Sequence, residues 1–576
     1  MQKNKSKYGF KPLAKLGNRL FCINIIIFLV LSLLIPLTII YPQQARAAAL
    51  PAYRYTKTFD TTSGQASGIS VASDSQGNIY VTGTFQGGTV VFDGTGGGDS
   101  KTSTNKDVFV TKYNANGSYG FTKIFDVSSA GADGTPSDIT TDAEGNIYIT
   151  GLFEGTVTFD GLGGHDTFTT GIGGSKPDTF LTKYNSNGSY AYTKVFDTSG
   201  LTTGTTGNSV DTDSQGNVYI VGQWSGTIGF DGPGGSDIKS TTNNNTFLTK
   251  YNADGTYGNT RIFDVQSGSS TPGGLAIDTQ NNIYIAGVFN GQVVFDGLGG
   301  SDSKTGSGSF LTKIDAAGSY VYTKTSDASG GSVDGASVTT DTQGNIFVTG
   351  AFANTVVFDG PGGSDTRSSP NNDGYLTKYN ADGSYGFTKI FFDQIGFGNN
   401  SLPLGVDTDI QGNVYLTGLF RGTVTFDGAG GNDSQTDAGG NESAFLTRFN
   451  ANGTYGWTRI FDTSLSAFAT AEASAVAIDP IGNAYFTGDF ADTIGFDGVG
   501  GSDIQTSGSR DSFLTSYQVF IPSQPGAQSS PVPGAPNTGF GSFINTAQFL
   551  KLTCIGALSI AVLAVISARY MRLYRD

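Results

Sequence analysis

Seven times along this 576-residue chain the octapeptide Phe-Asp-Gly-x-Gly-Gly-x-Asp recurs, setting two carboxylates six residues apart across a run of glycines. The pairs are Asp93 with Asp99, Asp160 with Asp166, Asp231 with Asp237, Asp296 with Asp302, Asp359 with Asp365, Asp427 with Asp433, and Asp497 with Asp503. A loop of this kind could fold round one hard cation. Calcium takes about six to eight oxygen ligands, and glycines let the backbone turn its carbonyls inward to complete the shell. The same residues are also ordinary turn formers, and a repeat copies its turns with everything else. Calcium coordination and plain turn chemistry are therefore two readings of one motif, and two aspartates alone fall short of a calcium shell.

Covalent and acid–base chemistry has less material. His165 is the single histidine and sits in the variable slot of one Asp motif, so neither a Ser-His-Asp nor a Cys-His arrangement can be built from repeated residues. The four glutamates, Glu144, Glu154, Glu442 and Glu472, are unrepeated. A glycoside hydrolase or lyase needs two carboxylates in unequal environments, and nothing among so many equivalent aspartates singles out such a pair. Cys22 and Cys554 both lie in apolar runs near the chain ends, which leaves no disulfide or thiolate chemistry between them.

The elements that must position the Asp motifs are equally repetitive. Gly-Asn-(Ile/Val/Ala)-(Tyr/Phe)-x-x-Gly occurs at Asn78, Asn146, Asn217, Asn282, Asn345, Asn413 and Asn483, spaced by 63 to 71 residues, with Asn281 replacing the glycine once. In the first unit apolar residues alternate over Ile69–Ala72, Ile79–Phe85, Val108–Tyr113 and Tyr119–Phe125, which predicts four strands. Asp74 and its equivalents, four residues before each repeated Asn, make the first turn, and "NANG" or its variants make the last. Aromatic pairs such as Tyr80 with Phe85, Tyr148 with Phe153 and Tyr219 with Trp224 read as filling for sheets buried on both faces. Between Tyr53 and Phe520 no helical period stands out.

Seven such units imply a solenoid or a propeller, because no single unit buries enough apolar surface alone. The ends of the array decide between them. The seventh unit lacks a fourth strand, whereas Tyr53–Asp60, "YRYTKTFD", matches that strand and precedes the first complete unit. The expected fold is all-β, a seven-bladed β-propeller of four-stranded blades closed by the N-terminal strand, which leaves no open sheet edge. The repeats, for example "LAIDTQNNIYIAG" with "SFLTKIDAAG", resemble the bacterial seven-bladed β-propeller (SBBP) repeat family over about Tyr53–Ile521. That resemblance implies a scaffold and no common catalytic activity.

Outside residues 48–521 the chain reads as address and tether. Residues 1–47 combine basic residues from Lys3 to Arg19, an apolar run and Ala45-Arg46-Ala47, the pattern of a signal peptide. Its apolar run is long enough to span a bilayer, so an uncleaved anchor is the other reading. Residues 522–540 form a Pro/Gly/Ser-rich linker, and 549–576 a transmembrane helix with a basic tail. Pro536, Asn537, Thr538 and Gly539 precede that helix and resemble the LPxTG cell-wall sorting signal, with Ala535 where the family has Leu. This implies a sortase-like transpeptidase as a partner, and a plain membrane anchor is the alternative. Both readings put the propeller at the cell surface.

The whole chain carries a formal charge of −15; without residues 1–47 and 540–576, 22 basic and 47 acidic residues remain, a net of −25. Such a surface repels nucleic acid. Lys112, Lys183, Lys250, Lys313, Lys378 and Arg448 recur on the third strand and read as edge or inter-blade structure. The Asp motifs share the second-to-third connection with variable stretches, which places recognition on that acidic, crossover-bearing face. The expectation is a non-catalytic module that binds or adheres to a protein or glycan ligand. Its alternatives are a secreted carbohydrate-active enzyme using top-face aspartates and an architectural surface coat.

Overall fold

Where apolar residues alternate, antiparallel strands form. The computed structural model describes residues 50–519 except 62, 95–96, 129–131, 171–175, 197–203, 336, 394–399, 429–430 and 438–440. The first unit is built from Gln65–Ser73, Ile79–Gln86, Asp107–Tyr113 and Tyr119–Val127, each hydrogen-bonded to the next. The four predicted segments fall inside these strands. Later units repeat the meander, and units three and four share one continuous strand, Tyr257–Ile277, whose first half ends one sheet and whose second half begins the next. The protein is thus an all-β chain of propeller-type repeats, and no helix occurs among the described residues. The signal peptide, the linker, the motif Pro536–Gly539 and the apolar C-terminal helix predicted above all lie outside the described residues.

The N-terminal strand Ala52–Thr61 pairs antiparallel with Ile504–Gln518, placing Lys57 opposite Leu514 and Phe59 opposite Ser512. It is the fourth strand of a sheet whose other members are Thr470–Ile478, Asn483–Gly495 and Ile504–Gln518. The first strand of each unit lies beside the first strand of the next, and Thr470–Ile478 lies beside Gln65–Ser73.

The second-to-third connection is an ordered hairpin that the periodicity did not announce. In the first unit it consists of Gly88–Val91 and Ser100–Ser103, with the Asp motif between them. The hairpin pairs with the end of the preceding unit's fourth strand: Val91 with Asp60, Thr158 with Asp126, Val294 with Asp264, Thr425 with Phe392. Main-chain hydrogen bonds therefore stitch neighbouring units at their outer edge. Side chains do the same in the interior. Phe59 belongs to the seventh unit's sheet, yet it is fully buried against Phe92, Phe109 and Tyr113 of the first unit.

Truncating that ring should therefore weaken two units at once. Phe59→Ala is expected to cost about 3–5 kcal/mol, as large-to-small changes at filled core sites do. Urea unfolding checks this, and a loss under about 1 kcal/mol would mean that the N-terminal strand is not part of the core.

Candidate functional site

In each Asp motif the first carboxylate holds its own loop closed. One oxygen of Asp93 accepts the N–H of Gly98 at 2.8 Å, and the other accepts the N–H of Asp99 at 3.0 Å. Asp160, Asp231, Asp296, Asp359, Asp427 and Asp497 repeat the arrangement. The glycines follow from this geometry. The first, at Gly94 and its equivalents, has φ between 93° and 110°, and a Cβ on the last, Gly97, would stand 2.0 Å from the Asp93 carboxylate. Slight desolvation works against ionisation of Asp160, Asp231, Asp296, Asp359 and Asp497, but the loop N–H donors outweigh it and hold these carboxyls below the usual range.

The second carboxylate clamps the loop to the rest of the unit. Asp99 accepts from the Tyr119 hydroxyl, and the same Tyr–Asp bond joins Tyr190 to Asp166, Tyr257 to Asp237, Tyr320 to Asp302, Tyr385 to Asp365, Tyr455 to Asp433 and Tyr53 to Asp503. In six of the seven the other oxygen takes a donor two residues on, Lys101, Lys239, Lys304, Arg367, Gln435 or Gln505, whereas Phe168 stands at that place after Asp166. Both aspartates of each pair are thus occupied by internal donors, and among the described residues no group of three or more His, Cys, Asp or Glu stands together to hold a metal. As arranged, the described loops are closed by hydrogen bonds to their own carboxylates.

Their position also differs from the sequence reading. Tyr119 opens the fourth strand, just past the tight turn Asn114–Gly117. Arg261 donates to the carbonyls of both Asp296 and Gly318, at 3.2 and 2.6 Å. The hairpin leaves the crossover end, folds back along the outer edge and delivers the Asp motif beside the short turns. Among the described residues, the crossovers and the Asp motifs therefore occupy separate regions of the unit.

A third set of aspartates organises those short turns. Asp74 is buried; one oxygen accepts the N–H groups of Gln76 and Asn78, and the other accepts the Asn78 amide at 2.7 Å and the Tyr80 hydroxyl at 3.0 Å. Asn78 in turn accepts the Ala115 N–H at 3.3 Å, tying the first turn to the last. Asp142, Asp213, Asp278, Asp409 and Asp479 make the same bonds, and Asp341 makes all but the last because Phe347 replaces the tyrosine. Asn281 keeps the glycine conformation at φ 65°, which explains the one exception in the repeat. The third-strand lysines lie above the second-strand rings, Lys112 over Tyr80 at 5.4 Å and Lys183 over Tyr148 at 4.9 Å. Lys112 and Lys378 also reach carbonyls of the following unit, Ser186 and Ala451.

Some carboxylates break the repeat. Asp489 stands where other units have Thr84, Leu152 or Val288; it is buried and takes Ser67 Oγ at 2.6 Å and Arg510 Nε at 3.3 Å. It pairs across strands with Glu472, whose carboxyl is pushed up by burial and then by the charges of Asp489 and Glu442. Asp489 is raised by burial as well. Sequence reasoning missed this group because Asp489 is one aspartate among many, distinguished only by alignment of the units. On the inner strands, Asp211 accepts the N–H groups of Thr212 and Ile277, both at 2.8 Å, and burial pushes it up to about 7 against those donors. Asp407, bonded to Ile478 and Thr408, is pushed up to about 6 by burial in the same way.

No family model matches the chain. Over 214 residues it is 29% identical to an uncharacterized WD repeat-containing protein, L264, of Acanthamoeba polyphaga mimivirus, a match that takes in 32% of this chain and only 15% of that protein's length. A polysaccharide lyase structure, an ulvan lyase bound to a glucuronate–rhamnose sulfate unit, aligns with 75% of this chain and 93% of its own at 13% identity and a TM-score of 0.39. The C-terminal WD40 domain of Sif2 aligns with 80% and 99% at 8% identity and a TM-score of 0.33.

The two aspartate clamps should differ in weight. Asp74→Ala strands several buried donors, each costing about 1–3 kcal/mol, so a loss of at least ~3 kcal/mol is expected in urea unfolding; Asp99→Asn, at a half-exposed bond, should cost about 1 kcal/mol. For Asp211 and Asp407 the folded pKa lies above the unfolded one, so the folded state holds the extra protons between about pH 4 and 7. Their contribution is greatest below that window and is lost as pH rises through it. The melting temperature should therefore fall from pH 5 to pH 8, and Asp211→Asn should flatten the fall; an unchanged slope in that variant would dismiss Asp211 as its source.

Proposed function

We propose that the chain is an exported, surface-tethered seven-bladed β-propeller of the SBBP type, closed by its N-terminal strand, that binds or adheres to a protein or glycan ligand without catalysing a reaction. Ring closure is supported by the pairing of Ala52–Thr61 with Ile504–Gln518 and by the unbroken succession of neighbouring first strands. Export and tethering rest on the sequence features of the two ends. A sortase-like transpeptidase acting at Thr538 and a plain membrane anchor lead to the same location.

One observation carries the binding reading. Every described Asp pair is spent on internal hydrogen bonds, and what differs from unit to unit is the crossover sequence, as in "TTSGQAS" after Asp60 against "QIGFGNNSLPLG" after Asp393. Varied polar segments on a regular support are the usual place for recognition. The Asp motifs then act as hydrogen-bonded clamps that need no cation. A second reading, the carbohydrate-active enzyme, is favoured by the cross-strand carboxylate pair Glu472 and Asp489 beside Arg510.

One experiment weighs these readings. The purified protein is applied to immobilised cell-surface polysaccharides and matrix proteins, with calcium or with chelator. Saturable binding that survives chelator, leaves the polymer intact, persists in Asp99→Asn and is lost when residues 394–399 become a Gly-Ser segment is the expected result. Polymer shortening that Glu472→Gln abolishes would replace it with the enzyme. A calcium-dependent rise in melting temperature would return the Asp motifs to metal binding.

A further inference from the structure

Six of the seven fourth strands carry an aromatic residue two positions after their leading tyrosine: Tyr55, Phe121, Tyr192, Tyr322, Phe387 and Trp457. In the third unit Asn259 stands there instead. The consequence is visible at the seam with the next unit. Tyr55, Phe121, Tyr192, Tyr322 and Phe387 each press on the turn glycine of the following unit, at Gly117, Gly188, Gly255, Gly383 and Gly453, so closely that a Cβ there would stand 2.6–3.0 Å from the ring. At Gly318, the turn glycine that faces Asn259, a Cβ would meet nothing within 4 Å. The repeat has a ring-shaped plug at these seams, and at this one the plug is missing.

The space left is a cleft of about 390 Å³, lined by Tyr219, Lys239, Lys250, Asn259, Arg261 and Leu298 among others. That volume is in the range of small-molecule sites, and a buried apolar space of about 150 Å³ already admits benzene. Its charge is opposite to that of the surface around it. Lys239 is paired with Asp237, but Lys250 lies over the Tyr219 ring at 5.5 Å, and Arg261 donates to the neutral carbonyls of Asp296 and Gly318. Neither Lys250 nor Arg261 forms an ion pair among the described residues. The cleft thus opens beside two cations without an ion-pair partner among the described residues, with apolar Leu298 two-thirds exposed at the edge.

We infer that this cleft between the third and fourth units binds a small aromatic carboxylate, the ring entering the place that an aromatic side chain fills at the other seams and the carboxylate facing Lys250 and Arg261. The ring would gain the apolar contact and cation–π attraction that its counterparts have, and the anion a charge-assisted bond. This site is independent of the crossover segments and of the reading given for them.

Calorimetric titration of the protein with 4-hydroxyphenylacetate tests the inference. One saturable site with a Kd below about 1 mM is expected, weakened about tenfold by Arg261→Gln, and also by using the uncharged 4-hydroxyphenylacetamide. Asn259→Tyr, which restores the plug, should abolish binding and raise the melting temperature. Absence of saturable heat up to about 10 mM ligand, or binding to folded Asn259→Tyr equal to that of the parent, would overturn the inference. Should Asn259→Tyr fail to fold, the Arg261→Gln and amide comparisons decide: equal affinity in both overturns it.

Discussion

The buried carboxylate of Asp74 and its six equivalents is the interaction on which each unit depends. A carboxylate taken out of water is costly unless every lone pair finds a donor. Here two backbone N–H groups, an amide and, in six units, a tyrosine hydroxyl converge on it, so the cost is met within five residues of chain in the first turn and one residue of the second strand. In four units the asparagine that donates to the carboxylate also accepts from the last turn, as Asn78 does from Ala115. In those units one buried charge therefore links both hairpins of the meander.

Units fixed in this way are joined by devices that need neither cysteine nor metal. At the outer edge the small hairpins hydrogen-bond to the preceding fourth strand; within the seams lysines lie over tyrosines and reach carbonyls of the next unit. This disposition explains how an acidic chain uses its scarce cations. Third-strand lysines sit over rings at the seams, and Lys101, Lys239 and Lys304 hold Asp-motif carboxylates, so the exterior keeps a strongly negative balance. In the seventh unit Ser516 occupies the lysine position, and Arg54 of the N-terminal strand supplies the charge, donating to Tyr485 and Ser516. The substitution of one end of the chain for the other extends to a single side chain.

Strand positions were legible because alternation over five to seven residues survives in every unit, and the role of Tyr53–Asp60 was legible because it duplicates a strand absent at the far end. The turn function of Asp74 could be read from its distance to Asn78. The fold-back hairpin could not, since Gly88–Val91 and Ser100–Ser103 are too short for a period to show. Nor could the partner of Asp99, because Tyr119 is twenty residues away and becomes adjacent only when that hairpin folds back. Without the clamp, the Asp motif looks like a pair of available ligands placed on the crossover side. With it, the same residues are a loop closure and a latch, and the last glycine is explained by the carboxylate that occupies its Cβ space.

Repetition and its interruptions carry different information. A feature present in all seven units is accounted for by what every unit must do, namely close its turns and hold its neighbours, and the Asp motifs meet that description fully. Chemistry directed at a single ligand has to come from positions where one unit differs. Asn259 in place of a ring, and Glu472 set across from Asp489, are departures of this kind. The first leaves an empty slot, and the second sets two carboxylates across strands from one another, with Ser67 and Arg510 donating to Asp489. A scaffold whose regular parts are this well satisfied can tolerate such local costs, because each is confined to a single seam or unit while the remaining seams keep their plugs and clamps.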